Sequence, residues 1–295
     1  MASRCGYVAL LGAPNAGKST LLNRLVGSKL SIVTPKPQTT RFRVLGVVLH
    51  GDAQILLLDT PGIFTPHRRL DRAMVAAAWR SAAEADLRLL VIDAKAGITD
   101  EVRAIAAKLG EQRNWLVLNK IDLVPRANLL PLTEAMQKLA SFARTFMISA
   151  ANGDGVADLL DAMAEAMPEG PHLYPDDILT DLPERLLAAE IVREQIFLQT
   201  HQEVPYATTV ETEKFEERKD GSVRIEATIY VSRPGQRAIL LGERGQRIKQ
   251  IGTRARLMLS EILERPVHLF LYVKERPGWD EETARLRALG LEETP

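Results

Sequence analysis

The sequence predicts an α/β chain: a doubly wound, mostly parallel sheet followed by a smaller α+β domain. Three observations point there. Up to about residue 167, short apolar runs alternate with stretches of helical period, which is the pattern of βαβ units. Four of the nine residues in the stretch MPEGPHLYP, 167–175, are Pro or Gly, which breaks that pattern. Beyond it the rhythm changes to helix, two long alternating runs, two helices and a strand. At 295 residues the chain is long enough for two domains, and with 46% apolar residues each can bury a core.

The apolar runs predict strands at 7–11, 42–50, 54–58, 87–93, 115–118 and 144–148. Between them the helical period predicts helices at 18–26, 70–83, 100–109, 129–141 and 154–166. Parallel strands joined this way carry their ligand loops at their carboxyl ends. Residues 1–167 are therefore expected to form one domain and 168–182 a linker. Residues 183–295 are expected to form the second domain with a C-terminal tail. It opens with an amphipathic helix, 183–199. Alternating runs at 206–215 and 222–232 follow, and the Asp220-Gly221 turn between them is a hairpin signal. Helices at 236–241 and 246–263 and a strand at 267–274 complete it.

Thirty-eight basic and 38 acidic residues cancel, so only the distribution of charge speaks about partners. Cys5 is the single cysteine, which excludes an intrachain disulfide and a cysteine metal site and favours a reducing compartment. The N-terminal run MASRCGYVALLG enters the first motif directly, so no leader peptide is expected. No apolar run approaches the roughly 18 residues of a membrane span.

GAPNAGKS, residues 12–19, fits GxxxxGK[ST] between an apolar strand and a helix. Glycines let successive N–H groups face phosphate oxygens. Lys18 supplies a point charge, and Ser19 opens a helix and can ligate Mg²⁺. The base is chosen by Asn119-Lys120-Ile121-Asp122. A carboxylate at Asp122 can accept from the N1–H and 2-amino group of guanine, and adenine would leave it unpaired. Ser149 and Ala150 begin the next turn, whose backbone N–H groups are placed for the guanine oxygen.

Asp59-Thr60-Pro61-Gly62 ends a strand; Asp59 can hold Mg²⁺ through water, and the Gly62 N–H can meet the γ-phosphate. In the polar loop SIVTPKPQTTRFR, Thr40 is the favoured metal ligand and Thr39 the second choice. The expected nucleotide contacts are Gly12, Ala13, Pro14, Asn15, Ala16, Gly17, Lys18, Ser19, Thr20, Asp59, Thr60, Pro61, Gly62, Ile63, Asn119, Lys120, Ile121, Asp122, Ser149 and Ala150. Lys18, Thr40 and Gly62 are the expected catalytic residues, and Ser19, Thr40 and Asp59 the expected Mg²⁺ set. With these motifs the chain resembles a translation-factor-class P-loop GTPase. Ras-type relatives place a water-orienting glutamine after the DxxG glycine. Here that residue is Ile63, so slow turnover is expected unless another group or ion serves. K⁺ is the candidate, near Asn15 and the loop around Thr39, as in related GTPases with the PNxGKS pattern.

In the second half, Gly242-Glu243-Arg244-Gly245 lies between two helical stretches. Between 233 and 256 there are seven basic residues and one acid, a patch suited to phosphates. GxxG in an α-β-β-α-α-β frame resembles a type II KH domain, whose groove takes about four unpaired nucleotides. The expected RNA contacts are Gly242, Glu243, Arg244, Gly245, Gln246, Arg247, Lys249 and Arg254.

GAPNAGKST, QTTR, DTPG, NKID, SAANG, GERGQRIKQIG and the closing VKERPGWDEETARLRALG, in this order, resemble the Era family of GTPases. Ala13 and Ala16 depart from the bulkier residues often found there. The resemblance implies a ribosome-assembly factor that hydrolyses GTP and binds the 3′ end of small-subunit ribosomal RNA. It also implies a cytoplasmic protein with some association to the inner face of the cell membrane; a monomer is expected. Two other readings stay open: an RNA-binding scaffold whose nucleotide site turns over poorly, and an ATP-dependent RNA enzyme.

Overall fold

The computed structural model describes residues 3–110, 113–201 and 203–291, so the end of the expected tail, 292–295, lies outside it. The described residues form two compact units. The first holds the chain up to Ser31, Pro37–Asp181 and the described residues from Leu286 on; the second holds Ile32–Lys36 and Leu182–Arg285.

In the first unit, β1 (Arg4–Leu11), β2 (Val44–His50), β3 (Ala53–Asp59), β4 (Leu87–Asp93), β5 (Asn114–Asn119) and β6 (Arg144–Met147) form one sheet. Their order is β2-β3-β1-β4-β5-β6. All pairings are parallel except β2 with β3, which is antiparallel. The exception follows from the two-residue turn at Gly51-Asp52, too short for the crossover that parallel strands need. After β1 the chain runs to β2 and β3 on one side of it, and after β3 it crosses to β4 on the other side. That reversal opens a crevice at the carboxyl end of β1, where the GAPNAGKS turn sits. Every residue of β3 is buried, with Ile55, Leu56 and Leu57 at 0% exposure, as a strand covered on both faces requires.

The helices of this unit are α1 (Lys18–Val26), α2 (Arg69–Glu84), α3 (Asp100–Ala106), α4 (Leu129–Gln137) and α5 (Val156–Ala166). Two end earlier than the periodicity predicts: 107–109 and 138–141 close in tight turns. Residues 168–181 have no helix or strand, as their Pro and Gly content predicts, yet they are fastened down. Buried Gln54 accepts from the N–H groups of Leu173 (2.8 Å) and Tyr174 (3.0 Å) and donates to the Tyr174 carbonyl (2.7 Å). Along edge strand β2, the Val47 N–H donates to Leu179 O (2.8 Å) and the Thr180 hydroxyl to Leu45 O (2.6 Å), so the free edge is covered.

The second unit contains α6 (Glu184–Gln199), β7 (Thr208–Glu217), β8 (Val223–Val231), α7 (Pro234–Leu241), α8 (Gln246–Ile262) and β9 (Val267–Glu275). The order is the expected α-β-β-α-α-β. β7 pairs antiparallel with β8, and β8 parallel with β9. Asp220 braces the hairpin by accepting from the Ser222 N–H (3.0 Å) and hydroxyl (2.7 Å). The core gathers Ile191, Ile196, Ile225, Ile229, Leu240, Ile251 and Leu259, with Ile32 among them. One expectation needs correction: α6 is not amphipathic, because Leu187 to Phe197 are all buried. Polar residues pair inside it: Arg193 donates from Nε and Nη2 to the two oxygens of Glu190, and Glu194 accepts from the Val33 N–H at 2.8 Å.

Candidate nucleotide-binding and RNA-binding sites

The turn after β1 ends at Gly17, a left-handed residue (φ 93°) that caps α1 without any side-chain bond. A Cβ there would stand 2.2 Å from Asn119 Nδ2, so only glycine fits. The α1 ladder first closes with the Leu21 N–H on Gly17 O (2.9 Å). The N–H groups of Lys18, Ser19 and Thr20 therefore lack helical acceptors and concentrate positive potential at the turn. Nearby, Ala16 is buried, Ala13 and Pro14 are half-buried, and Asn15 is exposed with φ 62°.

Lys18, 6% exposed, donates to Gly12 O and Ala13 O, both at 3.1 Å. Burial pushes its ammonium down to about 8, against the pull of Asp59. Burial likewise pushes the Asp59 carboxyl up, opposed by Lys18 and by the hydroxyls of Ser19, Ser31 and Thr40. Both shifts run towards neutrality because removal from water penalises either charge, and mutual attraction offsets only part of that.

The expected metal set converges. Ser19 Oγ donates to Asp59 Oδ2 at 2.6 Å and lies 2.9 Å from Thr40 Oγ1. Since the one Ser19 proton goes to Asp59, Thr40 is the donor in that second bond. Asp59 Oδ1 is buried with no hydrogen-bond partner. An octahedron with metal–oxygen bonds of about 2.1 Å has adjacent oxygens about 3.0 Å apart, close to the Ser19–Thr40 separation. Two hydroxyls, a carboxylate and an unpartnered carboxylate oxygen suit a small hard cation such as Mg²⁺. Among the described residues there is no cluster of three or more His, Cys, Asp or Glu that would suit a softer ion.

Gly62 presses on the same turn: a Cβ there would stand 2.8 Å from the Pro14 backbone. Thr60 and Pro61 are buried before it, and Thr60 Oγ1 donates to Leu10 O at 2.7 Å. Ile63 sends its N–H to Gly12 O (3.0 Å) and its side chain, 7% exposed, into the core with Leu11, Ala78 and Ile92. The side chain at the glutamine's position is thus a core residue, and it takes no part in a polar site. Asn15 shares a cavity of about 350 Å³ with Pro37, Gln38 and Phe64.

The NKID residues occupy distinct places. Asn119, 1% exposed, donates from Nδ2 to Ala16 O and accepts at Oδ1 from the Ala150 N–H, both at 2.9 Å. It staples the phosphate turn to the Ser149-Ala150 turn. Lys120 has a left-handed backbone (φ 63°), and its ammonium pairs with Asp93 at 2.6 Å. Ile121 sends its N–H to Ile148 O (3.2 Å). Asp122 is exposed, and its carboxylate makes no hydrogen bond or ion pair among the described residues. Ser149 is fully buried, with its hydroxyl accepting from the Asn152 N–H at 3.3 Å.

In the second unit, Gly242 (φ 67°), Arg244 (φ 50°) and Gly245 (φ 77°) turn the chain sharply between α7 and α8. Glu243, Arg244, Gln246, Lys249 and Arg254 are exposed, and Arg247 is half-buried with a bond to Ile239 O (2.8 Å). Two cavities follow α8. One of about 390 Å³ lies between α8 and β9, lined among others by Lys249, Gly252, Arg256, Leu271, Phe270 and Tyr272. The other, about 350 Å³, is lined by Gln246, Lys249, Gln250, Thr253 and Arg254. Arg237 is partly neutralised by Glu275 at 3.5 Å, so the basic patch is smaller than the sequence count.

Several site residues were not singled out. Phe270 and Tyr272 had one weak signal, the unbroken apolar run LFLYV on a strand at the sheet edge, and Gly252 ends the GERGQRIKQIG stretch without an assigned contact. Asp93, which holds Lys120, had none beyond its position at a strand end. Ser31, buried against Asp59, opens the SIVTPKPQTTRFR loop but was assigned no contact.

Residues 7–120 match the family model described as a 50S ribosome-binding GTPase, and residues 203–280 that of a KH domain. The curated GTPase Era of Rhizobium meliloti (strain 1021) is 57% identical over 292 residues, 98% of this chain and 93% of that protein. A crystal structure of Era with MgGDPNP and nucleotides 1506–1542 of 16S ribosomal RNA is 41% identical, with a TM-score of 0.94. That match covers 99% of this chain and all of that one. A variant of Aquifex aeolicus Era bound to GDP and AlF4⁻ is also 41% identical, with a TM-score of 0.93, over 98% of this chain and all of that one.

Proposed function

The chain belongs to the Era family of GTPases, and on that premise we propose a guanine-nucleotide switch that binds the 3′ region of small-subunit ribosomal RNA and assists that subunit's assembly. The observation that carries the nucleotide half is the meeting of Lys18, Ser19, Thr40 and Asp59 beside the unpaired N–H groups of α1. Those N–H groups and Lys18 bind the phosphates of GTP. Ser19, Thr40 and Asp59 hold Mg²⁺, which when bound neutralises charge developing on the phosphate oxygens. Lys18 stabilises the same charge, and the Gly62 N–H meets the γ-phosphate. Asp122 accepts from guanine, while Asn119 keeps the two flanking turns at fixed spacing. The ATP-dependent alternative falls, since the family is one of GTPases.

Ile63 orients no water, so turnover by the protein alone is slow. We assign the compensating role to K⁺ held by Asn15 and the loop preceding Thr40; the shared cavity of Asn15, Pro37 and Gln38 supports this. RNA enters the groove between α8 and β9, its phosphates against the Gly242–Gly245 turn, Lys249 and Arg254. The KH-domain match and the RNA-bound relative support that reading. Coupling between the sites follows the chain: Ser31 touches Asp59 in the first unit, and the next residue, Ile32, lies in the core of the second. The working form is a monomer in the cytoplasm, with peripheral contact at the inner face of the membrane. Among the described residues no helix is long and apolar enough to cross a membrane.

The burial of Ile63 favours one competing reading, a scaffold whose nucleotide site barely turns over. Single-turnover GTP cleavage, with and without RNA, in K⁺ and in Na⁺, decides between them. The switch requires acceleration by RNA and a faster rate in K⁺. Equal, negligible rates in all four conditions support the scaffold.

A further inference from the structure

Ser31 opens the SIVTPKPQTTRFR loop but was assigned no contact there; two bonds of its own and one of Leu30 fix it to α1, the helix that carries Lys18 and Ser19. Asn23 Oδ1 accepts from the N–H groups of Leu30 and Ser31, both at 2.9 Å, and Asn23 Nδ2 donates to Ser31 O at 2.7 Å. So held, Ser31 is 3% exposed and donates its hydroxyl proton to Asp59 Oδ2 at 2.9 Å. Ser19 donates to that same oxygen at 2.6 Å, while Oδ1, equally buried, has no partner. A buried carboxylate oxygen left bare is costly unless something else satisfies it.

We propose that Ser31 is a positioning residue: it pins Oδ2 of Asp59 and thereby keeps Oδ1 for the water shell of the divalent cation. This rests on the metal-site reading given above. Ser19 is itself a ligand in that reading, so its lone pairs turn to the cation. Ser31 is the donor on Oδ2 that has no such duty. Without it Oδ2 keeps only the Ser19 bond, and the carboxylate is held less firmly in the orientation that leaves Oδ1 for the cation's water.

The test is the release rate of a fluorescent GDP analogue from the full chain across a Mg²⁺ series and in EDTA. Groups that orient a metal-binding side chain typically govern metal affinity by about tenfold or more. Ser31→Ala is therefore expected to raise the Mg²⁺ concentration giving half the slowing by about tenfold, with the EDTA rate within about twofold of the parent. Ser31→Thr keeps the hydroxyl and is expected to stay near the parent. Asn23→Ala, which leaves both Asp59 and Ser31 intact, is expected to shift the half-point in the same direction by less. An unshifted half-point in Ser31→Ala overturns the proposal. So does an EDTA rate that rises by the same factor, because Ser31 would then merely brace the fold, and so does Ser31→Thr behaving like Ser31→Ala. A parent whose release ignores Mg²⁺ instead overturns the metal-site reading itself.

Discussion

Binding of a guanine nucleotide is expected to draw a proton from solvent at pH 8, through Lys18. Burial lowers the Lys18 ammonium from 10.5 to about 8. At pH 7 roughly nine-tenths of the molecules then carry the charge, at pH 8 about half, and at pH 8.5 about a quarter. A phosphate anion between Lys18 and the α1 N–H groups favours the charged form, so the bound state holds the proton throughout this range. Raising the pH from 7 to 8.5 is therefore expected to weaken GDP binding by about fourfold, with about half a proton taken up per GDP at pH 8. For folding, the charged form is disfavoured in the native protein. The stability lost to Lys18 is thus full below about pH 8 and is recovered as the pH rises towards 10.5. Calorimetric titration with GDP in two buffers of different ionisation enthalpy counts the protons directly. Lys18→Arg, permanently charged, is expected to take up none at whatever affinity it retains. Zero uptake by the parent at pH 8 would show that Asp59 outweighs burial, and the electrostatic description of this site would be wrong.

Asp122→Asn is expected to move nucleotide preference from guanine towards xanthine, measured as the ratio of GDP to XDP affinity; an unchanged ratio removes Asp122 from base recognition. Asn119→Ala breaks two buried bonds between turns, so a loss of about 2–3 kcal/mol in unfolding free energy is expected, with weakened GDP binding; denaturant titration checks the first and fluorescence the second. Gly245→Asp adds a carboxylate where a Cβ has open space but the backbone has φ 77°. RNA affinity should fall by at least about tenfold, from phosphate repulsion and strain, with GTP affinity within about twofold. A parallel fall in GTP affinity would mean that the substitution unfolds more than the turn.

How far the sequence foretold this molecule depends on whether a feature is local. Helix α1 was legible to the residue because Gly17 and Gly27 bracket it, and β4 because turn residues bound a clean apolar run. The ends of α3 and α4 were not, since tight turns continue a helical pattern that the hydrogen bonds have left. The helix at 183–199 was expected to be amphipathic, but in α6 Glu190 and Arg193 pair with each other inside the core. Periodicity cannot reveal such pairing. The phosphate turn, the DTPG loop and NKID stood out because each is a contiguous string of residues. Ser31 was hidden because its partner lies 28 residues away. Likewise, the groove between α8 and β9 is made only when the two elements pack, so Phe270 and Tyr272 look like ordinary strand residues in the chain. Ile63 was noticed as a missing glutamine; that its side chain fills the core instead is a fact of packing.

The most direct trial of the whole account is the affinity of RNA from the 3′ end of the small-subunit ribosomal RNA for the protein loaded with a non-hydrolysable GTP analogue and Mg²⁺, compared with its GDP form. A switch requires the two affinities to differ by about fivefold or more, and RNA must change the ratio of GTP-analogue to GDP affinity by that same factor. Equal RNA affinities in the two nucleotide states would contradict it.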